Sequence, residues 1–108
     1  MSYKILLTDH FKREAKKLIK RYASLSSELS KLFDELADNP TLGKHLGNDI
    51  YKIRISIASK GKGKSGGARV LTYVKVIDES VLLFTIYSKG TKDTISDKEI
   101  QLLIKDIL

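Results

Sequence analysis

The sequence predicts one α+β domain: a small antiparallel sheet with an N-terminal helical hairpin packed on one face and a C-terminal helix, in the order β-α-α-β-β-β-α. Three observations predict it. Apolar residues repeat with a helical period in the first third of the chain and again at its end. From Ile50 to Lys89 the period switches to two. The joins between the late strands are mostly of hairpin length, which makes those strands antiparallel neighbours. The 108 residues contain no repeat and no linker. They form a single domain, 1–108, large enough for one core without staples.

Tyr3–Leu7 reads as a first strand. Thr8 or Asp9 then supplies an N-cap side chain. Phe11, Ala15, Leu18, Ile19 and Tyr22 form the apolar stripe of a first helix. Its other face is basic, with Lys12, Arg13, Lys16, Lys17, Lys20 and Arg21. Ser24, Ser26 and Ser27 break the pattern and can cap a second helix, whose stripe is Leu25, Leu29, Leu32, Phe33 and Leu36. Asn39-Pro40 ends it, because a residue before proline avoids the helical region. Gly43 and Gly47 mark a loop. Tyr51, Ile53, Ile55 and Ile57 then alternate with Lys52, Arg54 and Ser56 in a half-buried strand. Ser59–Gly67 is a glycine-lysine loop. Ala68–Ile77 is a second long strand, with Val70, Val74 and Val76 on one face and Arg69, Tyr73 and Lys75 on the other. After a turn at Asp78-Glu79-Ser80, Val81–Lys89 is a third, in which Leu82, Phe84 and Ile86 alternate with Thr85, Tyr87 and Lys89. Ser96-Asp97-Lys98-Glu99 is a capping box that opens a final helix carrying Ile100, Leu103, Ile104 and Ile107. With the helices on one face, the other presents Lys52, Arg54, Arg69, Tyr73, Lys75, Tyr87 and Lys89.

The net charge is +7 and it is concentrated. Between Ile50 and Ile77 there are seven basic residues and no acidic one: Lys52, Arg54, Lys60, Lys62, Lys64, Arg69 and Lys75. Such a patch is the footprint of a polyanion. Other classes are excluded by composition. Without cysteine there is no disulfide framework and no thiolate chemistry. Two histidines, His10 at a helix start and His45 in a loop, supply neither a serine triad nor a zinc site. Apolar runs such as Val81–Phe84 are too short to span a bilayer. No charged segment precedes a long apolar stretch at the start, so a cytoplasmic protein is expected.

Gly61-Lys62-Gly63-Lys64-Ser65-Gly66 fits G-x-G-x-x-G, and Ala58 through Ser65 fits a relaxed phosphate loop. Both motifs hold phosphate at the start of a helix. Here the alternating strand Ala68–Tyr73 follows, so neither reading stands. The glycines allow close backbone approach and the lysines supply charge. The basic window has no carboxylate pair for two-metal phosphoryl chemistry. What remains is metal-free RNA cleavage, with no cofactor: a base takes the 2′-hydroxyl proton, an acid protonates the 5′ oxygen and cations hold the phosphorane. Crowded lysines lower one another's pKa, so one of Lys60, Lys62 or Lys64 can serve as base. Arg69 offers a guanidinium fork to phosphate oxygens. Tyr87 can stack on a base or donate a proton. Arg54, Lys64, Tyr73, Lys75 and Lys89 are the expected RNA-binding residues.

Lys52-Ile53-Arg54, the run Ser59-Lys60-Gly61-Lys62-Gly63-Lys64-Ser65-Gly66-Gly67-Ala68-Arg69-Val70, and Leu83-Phe84-Thr85-Ile86-Tyr87-Ser88-Lys89 resemble the RelE superfamily of toxins, closest to its HigB-like branch. The resemblance implies a RelE-like microbial ribonuclease fold and the toxin of a type II toxin-antitoxin pair. It implies a metal-free mRNA endoribonuclease that inhibits translation by cleaving mRNA in the ribosomal A site. Its partners would be the ribosome, mRNA and a cognate antitoxin of helix-turn-helix type, with no membrane. By position, Lys60 and Lys62 match the family's basic catalytic pair and Arg69 its strand arginine. Tyr87 and Lys89 match the branch's Tyr-x-Lys. Several members also carry an arginine past the last strand and a tyrosine near the final helix. Here Gly90-Thr91-Lys92-Asp93 follows Lys89, and Ser96–Leu108 has no Tyr, His or Arg, which shifts the acid's role onto Tyr87. Two rival functions belong to the same fold: a ParE-like, non-enzymatic inhibitor of DNA gyrase, against which the loop lysines speak, and a plain RNA-binding module.

Overall fold

Capping and periodicity place most elements where the sequence predicts them. The computed structural model describes residues 2–58, 67–88 and 95–105. In these the order is β1 (Lys4–Leu7), α1 (Asp9–Arg21), α2 (Leu25–Asp38), β2 (Lys44–Gly47), β3 (Ile50–Ile55), β4 (Ala68–Lys75), β5 (Ser80–Ser88) and α3 (Asp97–Lys105). The Thr8 hydroxyl caps α1 by accepting the Phe11 N–H at 3.1 Å. At α3, Ser96 accepts the Glu99 N–H at 3.2 Å. At α2 the expected serine cap is replaced. Ser24 makes no side-chain cap bond; its hydroxyl donates instead to Glu28 at 3.2 Å.

The five strands lie in the order β1-β5-β4-β3-β2. Every neighbouring pair is antiparallel except β1 with β5, which is parallel, so the sheet is mixed. The chain leaves β1 through α1 and α2, and a crossover of that length permits a parallel return. The segment read as a loop around Gly43 and Gly47 is the extra strand β2. Its hairpin to β3 turns on Asn48 and Asp49, both at positive φ (52° and 64°), the geometry of a tight two-residue turn.

The helical hairpin packs on one face. Phe11, Ala15, Leu25, Leu29, Leu32 and Leu36 meet Ile53, Val70, Val74, Val81, Leu83 and Ile86 there. Each such aliphatic or aromatic side chain contributes about 1.5–3 kcal/mol by leaving water. The opposite face is not open, as a one-sided arrangement requires. Ile100 and Ile104 of α3 pack on Ile50, Leu71 and Phe84, with Tyr73 at the edge of the cluster.

The alternation along β5 is broken by a bulge. Leu71 pairs with Thr85 and Thr72 with Leu83, which leaves Phe84 as the extra residue. Val81, Leu83 and Ile86 therefore face the helical hairpin while Phe84 faces α3, in place of one shared face for Leu82, Phe84 and Ile86. The start of α1 holds the bulge. The Thr8 N–H donates to the Leu83 carbonyl at 3.1 Å, the Thr8 hydroxyl donates to the Phe84 carbonyl at 3.3 Å, and His10 Nε2 lies 3.3 Å from the Thr85 hydroxyl.

Two stability predictions follow from these contacts. Thr8→Ala removes a helix cap and a bulge bond together, a loss of about 1–2 kcal/mol, whereas Thr8→Ser keeps most of it; urea midpoints of the two variants check the difference. The Thr72 hydroxyl is fully buried and has no hydrogen-bond partner. Thr72→Val removes that unsatisfied group at nearly constant volume and is expected to raise stability by about 1 kcal/mol, which thermal unfolding would register.

Candidate RNA-cleaving site

Strand register assembles the site. Arg54 of β3 pairs with Arg69 of β4, and Arg69 pairs with Tyr87 of β5. One row across three strands thus carries two guanidinium groups and a phenol on the side away from the helical hairpin. Two residues along β3, Lys52 pairs with Lys44 of β2 on one side and with Leu71 on the other. Directly opposed residues in an antiparallel pair have Cβ atoms about 4.5–5.5 Å apart, so Lys44, Lys52, Arg54 and Arg69 form one cationic cluster. Like charges placed opposite each other weaken a sheet; this row is not there for stability.

Two glycines permit the register. A Cβ on Gly67 would collide with the Ile55 carbonyl, so only glycine lets the chain enter β4 this close to β3. Gly43 has φ +102° and lies where a Cβ would come within 2.5 Å of the Lys52 carbonyl. It brings Lys44 alongside Lys52.

Lys52 is half-buried. Its pKa is lowered from 10.5, first by burial and then by the nearby charges of Arg54, Lys44 and Arg69. A larger share of its amine is therefore neutral near physiological pH than for an ordinary lysine. Arg69 is only 3% exposed, and its Nη1 donates to the Ala68 carbonyl at 3.2 Å. The charge of this guanidinium acts through a medium less screening than water. Tyr87 is buried at 9%. The open polar face expected for Arg69 and Tyr87 is thus a recessed one.

Of the remaining predicted site residues, Arg54 is exposed in the row itself. Tyr73 and Lys75 are not brought to it. Tyr73 packs with the α3 cluster. Lys75 is six residues beyond Arg69 on β4, roughly 20 Å along an extended strand, and pairs with Asp78 at 3.7 Å. Lys60, Lys62, Lys64 and Lys89 lie outside the described residues. Lys44 was not legible as a site residue, because β2 reads as a loop; the Asn48-Asp49 pair before an alternating strand was the signal for its hairpin.

A groove of about 580 Å³ runs between α2 and the β3 edge, lined by Glu28, Leu32, Glu35, Leu42, Lys52 and Ile55 among others. Lys31, Lys44, Lys52 and Arg54 line it against two acids, Glu28 and Glu35, so its lining is net basic; the Glu28 carboxylate there accepts the Ala58 N–H at 2.7 Å. No helix among the described residues is long and apolar enough to cross a membrane.

Comparison with known proteins agrees with this fold. A free double mutant of the Escherichia coli toxin RelE matches over 100% of both chains at 20% identity, with a TM-score of 0.67. The same mutant bound to an antitoxin RelBc peptide matches over 100% of both chains at 20% identity and a TM-score of 0.63. The Mycobacterium tuberculosis toxin-antitoxin complex RelBE2 matches at 18% identity, covering 82% of this chain and 99% of that one, with a TM-score of 0.58. At these identities the structures establish the shared fold. The family model described as the RelE toxin of the RelE/RelB toxin-antitoxin system matches residues 3–106, and the chain therefore belongs to the RelE toxin family.

Proposed function

We propose that this toxin is a ribosome-dependent endoribonuclease that cleaves mRNA in the A site without a metal. The observation that carries the reading is the Arg54–Arg69–Tyr87 row with Lys52 beside it. Lys52 takes the proton of a 2′-hydroxyl. The resulting oxygen attacks the adjacent phosphorus, and charge builds on the phosphorane oxygens. Arg69 and Arg54 stabilise that charge. The bond to the 5′ oxygen breaks, and Tyr87 supplies its proton. The products are a 2′,3′-cyclic phosphate and a 5′-hydroxyl. Lys60 and Lys62 keep the catalytic part that the family resemblance gives them, and Lys64 and Lys89 the RNA-binding part; all four lie outside the described residues.

The ribosome's part is positioning. Two arginines and a phenol on a sheet fix the donors, but a single-stranded mRNA must still be held with its 2′ oxygen in line, and such alignment is worth several orders of magnitude in rate. Naked mRNA is expected to be cut poorly. A cognate antitoxin of helix-turn-helix type, acting in the cytoplasm, completes the system; the RelE–RelBc complex supports the pairing with an antitoxin, whatever its type.

Arg69→Ala is expected to lower cleavage of ribosome-bound mRNA by about 10²–10³-fold. Because Arg69 is buried, Arg69→Lys serves as the second variant. It keeps the charge but loses the fork, and an intermediate rate is expected. A folded Arg69→Ala protein that cuts like the wild type overturns the assignment. Pulse-labelling after induction separates this reading from gyrase inhibition: translation stops first in one case, replication in the other.

The depressed pKa of Lys52 gives a pH prediction. The base works when neutral, so the rate climbs with pH until Lys52 has lost its proton. Lys44→Gln removes one like charge, Lys52 holds its proton more tightly, and the acid limb of the pH–rate profile moves to higher pH. A profile that stays in place shows that the base lies elsewhere.

A further inference from the structure

The exposed face of α1 has no part in the reaction above, yet it is as one-sided in charge as the sheet row. Every exposed residue from Lys12 to Arg21 is a cation: Lys12, Arg13, Lys16, Lys17, Lys20 and Arg21. They fall in two stripes of three at i, i+4 and i+8, each about 12 Å long. Lys17 bonds Glu14 at 3.2 Å, and Arg21 lies 5.5 Å from the Tyr22 ring. Lys12, Arg13, Lys16 and Lys20 have no acidic partner among the described residues. Like charges one turn apart disfavour a helix. The exposed face of α2 mixes Lys31 with Asp34, Glu35 and Asp38, and that of α3 mixes Asp97 with Lys98 and Lys105. A solvated helix in this fold therefore mixes its signs, and α1 does not.

We infer that the exposed face of α1 is a second RNA-docking surface, fitted to the phosphate backbone of folded, double-helical RNA. The choice of RNA rests on the ribonuclease reading; the choice of surface rests on the charges. Three features select the occupant. The face carries no exposed aromatic side chain to stack on unpaired bases, which single-strand binding uses. It has no exposed apolar residue, and lysine is depleted at protein interfaces. Its apolar stripe is spent on the core, where Phe11 and Ala15 are buried, so nothing remains to insert into a lipid surface. What it offers is flexible positive charge repeated once per helical turn, which suits phosphates whose bases are turned inward.

This surface lies on the hairpin side of the sheet, and the Arg54–Arg69–Tyr87 row lies on the other. One molecule can then rest on structured RNA through α1 and hold the strand to be cut against the sheet.

The test uses the purified full chain and a fluorescent RNA duplex of about 16 base pairs, titrated across a salt series. The variant is Lys12→Gln/Lys16→Gln/Lys20→Gln. Glutamine is a good helix former at exposed positions, so the thermal midpoint should equal or exceed that of the wild type. The slope of log K against log salt is expected to fall by about 2–3, and affinity near 0.1 M salt by at least about tenfold. Lys31→Gln, which removes an exposed lysine from the mixed face of α2, should bind the duplex as the wild type does. An unchanged slope in the triple variant overturns the inference. So does a variant that loses binding to phosphatidylglycerol vesicles, or to the cognate antitoxin, while keeping the duplex. Duplex binding is read without cleavage, so the two readings fail separately. If the wild type does not cut ribosome-bound mRNA but the triple variant loses the duplex, the nuclease reading falls and the surface stands. If cutting is normal and the duplex slope does not move, the surface falls alone.

Discussion

The site depends on one extra residue in β5. Val81 and Leu83 face the helical hairpin, and strict alternation from them would send Tyr87 into the same core. The bulge at Phe84 shifts the count by one. Ile86 then takes the inward position and Tyr87 comes out beside Arg69. A bulge leaves ladder groups unpaired, and an unpaired buried carbonyl is costly. The first turn of α1 satisfies them through Thr8. The residue that caps the helix is thus also the one that fixes the strand carrying the proposed acid. The parallel pairing of β1 with β5 ends at Leu7 opposite Leu83, which delivers Thr8 to this point.

With that register in place, the electrostatics run against stability. Arg54 faces Arg69, and Lys44 faces Lys52. A sheet built only to last would interleave acids there. The consequence of crowding is chemical. A lysine pushed toward its neutral form is more often free to take a proton, and in the proposed reaction a recessed guanidinium meets a developing anion with little solvent between them. A lysine perturbed by a cluster of like charges in this way is a mark of a functional site.

Much of this was legible in the sequence. The stripes of α1 and α2, the Thr8 and Ser96 caps and the Asn39-Pro40 stop each act over a few residues, and short-range signals survive folding. Arg69 was readable because it alternates with Ala68 and Val70 at the start of β4, and Tyr87 because it alternates with Ile86 beyond the bulge in β5. What was not readable is set by long-range pairing. The bulge depends on Thr8, 76 residues from Phe84, and no local pattern encodes it. Strand β2 has four residues and owes its existence to β3. The second core exists because α3 returns to the sheet, so Tyr73 was assigned to an RNA face when its ring belongs beside Ile50 and Leu71.

Charge is mixed at the edge of β3. Glu28 and Glu35 of α2 line the groove with Lys31 beside them, and Lys44, Lys52 and Arg54 line it as well. With two acids among four cations the lining is net positive, so the groove continues the cationic cluster around the edge of β3, and the glutamates interrupt it there. The polyanion proposed for the sheet row would meet those two carboxylates only at the rim. Glu28 is held there by the Ala58 N–H and the Ser24 hydroxyl, which ties the position of its carboxylate to the end of β3 and to the turn between the two helices.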